Sequence, residues 1–136
     1  MKDFSTKWKS SRSKRKQRKY RLNAPLHIKG KFMKSTLSKD LRKKYGVRNL
    51  RVRKGDKVRI MRGQFRKTTG RVENVDLKKE AVFVAGAEFI KKDGSKSVYP
   101  IHPSKIMIVE ANIDDKERKK IVDRKKKPEV KTEVKK

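Results

Sequence analysis

The residue types best suited to do chemistry in this chain form a run of cations around one aromatic, Arg62-Gly63-Gln64-Phe65-Arg66-Lys67. Guanidinium and ammonium groups grip phosphate oxygens, and an exposed ring between them offers a face on which a base can stack. The same residue types recur in Arg12-Ser13-Lys14-Arg15-Lys16-Gln17-Arg18-Lys19-Tyr20-Arg21. Covalent and metal chemistry find little to work with. The chain has no cysteine, which removes thiol nucleophiles, disulfides and Cys-type zinc sites together. His27 and His102 are too far apart in sequence to suggest a metal pair, so each reads as an RNA contact or a local hydrogen-bonding group. Asp114, Asp115 and Glu117 suit the start of a helix better than an acid–base pair. No nucleophile–base pair, phosphate loop or dinucleotide fingerprint is present, so the expectation is a binding protein with no catalytic residue, no metal and no cofactor.

Charge points to the same partner. The 136 residues hold 44 Lys plus Arg against 15 Asp plus Glu, a formal net charge of +29, with 32% hydrophobic residues. Such a chain repels itself when alone and builds only a small core. Beside a polyanion the balance reverses, because each neutralised phosphate releases a condensed counterion. No apolar stretch approaches the roughly 20 residues that cross a bilayer. No apolar segment follows the basic N-terminus as a secretory signal requires, and the basic run leads directly into what reads as mature structure, against a transit peptide.

The elements that must position these groups fall into four parts. Residues 1–21 lack apolar periodicity and should be a basic RNA-binding arm, disordered in isolation and ordered along phosphates, with Tyr20 available for stacking. Residues 22–51 form an extended or helical segment. Pro25 suits the first turn of a short helix that Gly30 interrupts. A better helix spans 39–45, where Ser38 can cap, Asp40 suits the positive end, Leu37, Leu41 and Tyr45 share a side, and Gly46 can terminate it. Residues 52–109 change to strand alternation: Val58 with Ile60, Gly70 to Asp76 with a bulge or the strand end before Val75, Val82 with Val84, Phe89 with Ile90, Val98 to Ile101, and Ile106 with Ile108. Five or six short strands imply a mainly β fold, a small antiparallel barrel closed to remove its edges. Residues 110–136 should give a C-terminal helix, capped near Asp114 and running to about Lys127, then a frayed tail.

The segment Lys54–Asp76 resembles the KOW motif, a strand–loop–strand unit found in ribosomal and transcription-elongation proteins. Gly63 permits the bend into its loop, and Gly70 the return. Phe65 has two readings there, a base-stacking ring or a cap on the end of the core. The likeness extends to Asn23-Ala24-Pro25-Leu26-His27, to Leu37–Arg48, to Val52–Asp56, to Tyr99-Pro100-Ile101-His102-Pro103-Ser104-Lys105 and to Asp114–Lys120. In that order these segments resemble the ribosomal protein family numbered twenty-four in bacteria and twenty-six in eukaryotes, in its archaeal-type form, over residues 12–125. The chain departs from the family at Lys67, where a Gly is usual, and at Gln64, where an Asp or similar residue is common.

The resemblance implies an SH3-like barrel bound to large-subunit ribosomal RNA, with neighbouring ribosomal proteins as further partners and no homo-oligomer. It also implies a cytoplasmic place in the large subunit near the exit of the nascent-chain tunnel, and an early role in assembly. RNA contacts are then expected from Arg12, Lys14, Arg15, Lys16, Arg18, Lys19 and Arg21 in the arm. The next segment would add Asn23, His27, Lys29, Lys31, Lys43, Lys44 and Arg48. The barrel would add Arg53, Arg59, Arg62, Gly63, Phe65, Arg66, Lys67, His102 and Lys105. The main alternative is a KOW-type transcription or RNA-processing factor, although residues 1–51 are too short and too basic for the separate domain such elongation factors carry. A histone-like DNA-condensing protein would need charge alone, and an RNA-modifying enzyme would need a catalytic constellation.

Overall fold

The computed structural model describes residues 4–5 and 11–125. Among the described residues four α-helices are present: α1 (Lys14–Asn23), α2 (Leu26–Phe32), α3 (Lys39–Tyr45) and α4 (Lys116–Lys125). The strands are β1 (Lys34–Leu37), β2 (Asn49–Arg51), β3 (Lys57–Ile60), β4 (Thr69–Asp76), β5 (Ala81–Val84), β6 (Glu88–Ile90), β7 (Lys96–Val98) and β8 (Ile106–Glu110), with a 3-10 turn at Pro103–Lys105. Six strands make one sheet in the order β2-β1-β8-β3-β4-β5, and β6 pairs with β7 as a separate hairpin.

The expected mainly β, closed antiparallel barrel needs two corrections. First, the chain is mixed α/β, because the basic segments before and after the strands fold as helices. Second, β1 pairs parallel to β8, with Thr36 opposite Met107 and Leu37 opposite Ile108. The segment before residue 52 therefore extends the sheet, and no ladder among the described residues joins β2 to β5. The β5 edge is partly covered instead: Val82 and Ile101 exchange backbone hydrogen bonds of 2.8 and 2.9 Å. Lys34-Ser35-Thr36-Leu37 becomes a strand because Ser35 and Leu37 face inward, and the buried Ser35 hydroxyl donates to the Pro103 carbonyl at 2.7 Å.

Elsewhere local chemistry accounts for local structure. The Ser38 hydroxyl accepts the Leu41 N–H at 3.3 Å, and Gly46 ends α3 in the left-handed region at φ 63. Leu41 and Tyr45 pack against the core, as their spacing predicts. Val58 and Ile60 are buried in β3, and the pairing of β4 with β5 shifts register between Val72 and Asn74, so a bulge rather than the strand end precedes Val75. The core joins sheet residues such as Val58, Val82 and Ile108 to Met33 after α2 and Val122 on α4.

Residues 14–23 do not stay unstructured. Arg, Lys and Gln lose little side-chain freedom in a helix, and α1 is also tethered. Tyr20 packs its ring 4.9 Å from Phe4 and 6.2 Å from Phe32, and Arg21 lies 5.6 Å over Phe32 while pairing with Glu80. The α4 N-terminus is capped one residue later than expected, the Asp115 carboxylate accepting the Glu117 N–H at 3.0 Å. The expected helix end at Lys127 and the frayed tail lie outside the described residues.

Candidate nucleic-acid interface

The KOW loop is held by its own backbone. Lys67 N–H donates to the Ile60 carbonyl at 2.9 Å, Arg66 N–H to Gly63 at 3.1 Å, and Met61 N–H to Lys105 at 2.7 Å. Gly63 takes φ 98, and Lys67 takes φ 76, the conformation a Gly would adopt without strain. Gly70 is needed for space: a Cβ there would collide with the Ala85 carbonyl oxygen. The loop presents Arg62, Arg66 and Lys67 to solvent. Phe65 is half-buried, packs against the core and lies 5.5 Å from the Tyr99 ring, the arrangement of a cap on the end of the core. Arg62, Gly63, Gln64, Phe65, Tyr99 and Lys105 surround a cavity of about 30 Å³ there.

A second group gathers around the ends of α1 and α2. Arg21 pairs with Glu80 and also approaches His102 Nε2 at 3.1 Å. A guanidinium can only donate, so Nε2 accepts, and Nδ1–H is left to donate to the Ser104 hydroxyl at 2.8 Å. The 3.3 Å approach of the Ser104 N–H to Nδ1 is then no hydrogen bond, since that nitrogen carries the proton. His102 is thus a local hydrogen-bonding group. Lys29 donates to the Lys78 carbonyl at 3.2 Å, and Arg53 pairs with Asp115. Three expected RNA cations, Arg21, Lys29 and Arg53, therefore also hold the protein together. Arg12, Lys14, Arg15, Lys16, Arg18, Lys19, Asn23, His27, Lys31, Lys43, Lys44, Arg48 and Arg59 are exposed, as is Lys105 on the KOW side.

The β4–β5 turn carries its own electrostatic signature. The Asp76 carboxylate accepts the Lys79 N–H at 3.1 Å and the Lys78 N–H at 2.8 Å. These bonds, the Lys79 one foremost, outweigh desolvation and hold its pKa below the ordinary 3.8. Asp93 is lowered likewise by the Ser95 hydroxyl and N–H in the β6–β7 turn.

The sequence patterns missed two things. The first is a buried ion pair: Asp56, 0% exposed, meets Arg118, 3% exposed, through two bonds of 2.7 Å. Asp56 also accepts the N–H groups of Arg53 at 2.9 Å and Asn112 at 3.2 Å, so one carboxylate joins the KOW turn to α4. Gly55-Asp56 reads as a turn and Arg118 as one of many cations, so no local signal marks them. The second is an open groove of about 270 Å³ with Arg51, Arg53 and Lys54 beside Val75 and Leu77. Arg51 and Lys54 were signalled only by charge.

A comparison with known families decides the identity. The model of the family that groups the eukaryotic ribosomal proteins L26 with their archaeal counterparts numbered twenty-four matches residues 11–125. The chain belongs to this family. It is a structural constituent of the large ribosomal subunit, not an enzyme, and the family implies ribosomal RNA and ribosomal proteins as partners. The match spans α1 through α4, so α1, the KOW loop and the ion-paired C-terminal helix all lie within the family's shared segment. The transcription-factor, DNA-condensing and RNA-modifying alternatives are set aside by it. No helix among the described residues is long and apolar enough to cross a membrane.

Proposed function

We propose that this large-subunit protein binds ribosomal RNA directly, neutralising phosphates of several RNA segments and holding them together. The observation that carries this reading is the mismatch between cations and anions. Among the described residues, which hold 36 Lys plus Arg, five of these side chains enter ion pairs with carboxylates. The α1 cations, the Asn23–His27 segment and the Arg62–Lys67 loop are the contacts the reading assigns to RNA, and α1 acts as a preformed helix rather than an arm that orders on binding. Phe65 contributes by shaping the loop.

The family resemblance further supports an unclosed form of the SH3-like barrel in strands β8-β3-β4-β5, a single copy per subunit, a site near the tunnel exit and a role early in assembly. Sucrose-gradient fractionation of a lysate tests the core of the reading. The protein is expected in the large-subunit peak at one copy per particle and to remain there through a moderate salt wash. Recovery at the top of the gradient, or with polymerase, would overturn it.

A further inference from the structure

We propose that Tyr99 and Phe89 form a stacking platform for an unpaired RNA base, with Arg62 and Lys105 beside it to take the flanking phosphates. The proposal rests on the RNA-binding reading above and adds the class of RNA: single-stranded or extruded nucleotides at this face.

Large rings normally enter a core, yet Tyr99 is 39% exposed and Phe89 41% exposed in a chain whose core is small. Their centroids are 6.4 Å apart at 84°, an edge-to-face pair that leaves ring surface open. Tyr99 also lies 5.5 Å from the Phe65 ring, and Phe65 itself packs on the core. The platform is held in place. The Tyr99 N–H donates to the Ala87 carbonyl at 2.7 Å, Pro100 follows, and Ile101 is locked to Val82. Little conformational freedom is left to lose on binding.

Charge favours RNA as the occupant. Arg62 and Lys105 border the same cavity as Tyr99, and the Met61–Lys105 backbone hydrogen bond brings their two segments together. Side chains alternate along β6, so Ile90 leaves the face opposite Phe89 and is not part of the platform. A ring face flanked by cations is the arrangement that holds a base and its phosphates, and stacking tolerates any base.

The test compares wild type with Tyr99→Leu, Tyr99→Phe and Phe89→Leu for binding to a single-stranded oligouridylate and to duplex RNA of equal length. Circular dichroism checks each fold, and Phe89→Leu serves where Tyr99→Leu fails to fold. Loss of a ring is expected to weaken single-strand binding by roughly tenfold while leaving duplex binding unchanged. The log–log salt slope should stay unchanged too, since no phosphate contact is removed, and Tyr99→Phe should retain wild-type affinity. Unchanged single-strand affinity in both Leu variants, while wild type binds RNA with a steep slope, overturns the platform and leaves the RNA reading intact. The same holds if the Leu variants lose only a cross-link to a neighbouring ribosomal protein, since the rings then face protein. Absence of RNA binding by wild type would instead sink the broader reading.

Discussion

At the residue scale, two side chains sit where their chemistry is costly. Arg118 is buried against Asp56, and its Nε finds no partner, so the pair depends on its two bonds to the carboxylate together with those to the Asn112 and Arg51 carbonyls. Removing one partner strands a buried charge. Arg118→Met is therefore expected to destabilise the protein by about 3–5 kcal/mol in urea unfolding, well beyond an ordinary surface change. A loss below about 1 kcal/mol would show that Asp56 is satisfied by the backbone alone. Lys67 holds φ 76, a region that costs a side chain about 1–2 kcal/mol. Lys67→Gly should leave stability unchanged or raise it by up to about 1 kcal/mol, the relief of strain being partly offset by a more flexible unfolded chain. If Lys67 touches a phosphate, the same variant should lower the salt slope by about one contact. A clear loss of stability would mean that the lysine side chain packs more than its exposure indicates.

At the element scale, the β4–β5 turn links the KOW unit to the strand beside the α1 anchor. Its Asp76 has a folded-state pKa below the ordinary 3.8, held down first by the Lys79 N–H. A depressed carboxylate contributes stability that is fully present above the unfolded value and is lost as pH falls through the folded one. Asp76→Ala should thus lower the melting temperature at neutral pH, and the difference from wild type should shrink as pH drops below about 3.8. A difference that does not change with pH would remove the carboxylate from the account.

Which elements were legible depended on where their partners lie. The α3 helix was readable because Ser38, Leu41, Tyr45 and Gly46 carry its cap, its face and its stop within nine residues. Strands β3 to β8 were readable from alternation and turn residues. β1 was not, since only Ser35 and Leu37 face inward and one of its two partners, β8, lies some seventy positions away in sequence. α1 was hidden for a different reason: its anchors, Phe32 and Glu80, are outside it. The charge and aromatic pattern located the cationic KOW loop, which the structure presents to solvent. Tyr99 and Phe89 were visible as strand residues, but only tertiary structure reveals that their rings face outward together.

At the scale of the whole molecule, +29 is spread over a thin core, so the free protein is strained by self-repulsion and the bound one is relieved of it. Salt should therefore act with opposite signs on folding and on binding. Raising NaCl from about 20 to 200 mM should raise the melting temperature of the free protein by screening like charges. A flat or falling melting temperature would mean that its few ion pairs outweigh the repulsion.

The most direct test of phosphate neutralisation is a salt titration of binding to large-subunit ribosomal RNA. The affinity is expected to fall on a straight log–log line, with about 0.7 to 0.9 of slope for each phosphate contacted. With six or more contacts that is roughly a thousandfold loss between about 50 and 200 mM salt. A slope near zero would contradict the account, because the cations of α1 and the KOW loop would then not be what holds the RNA.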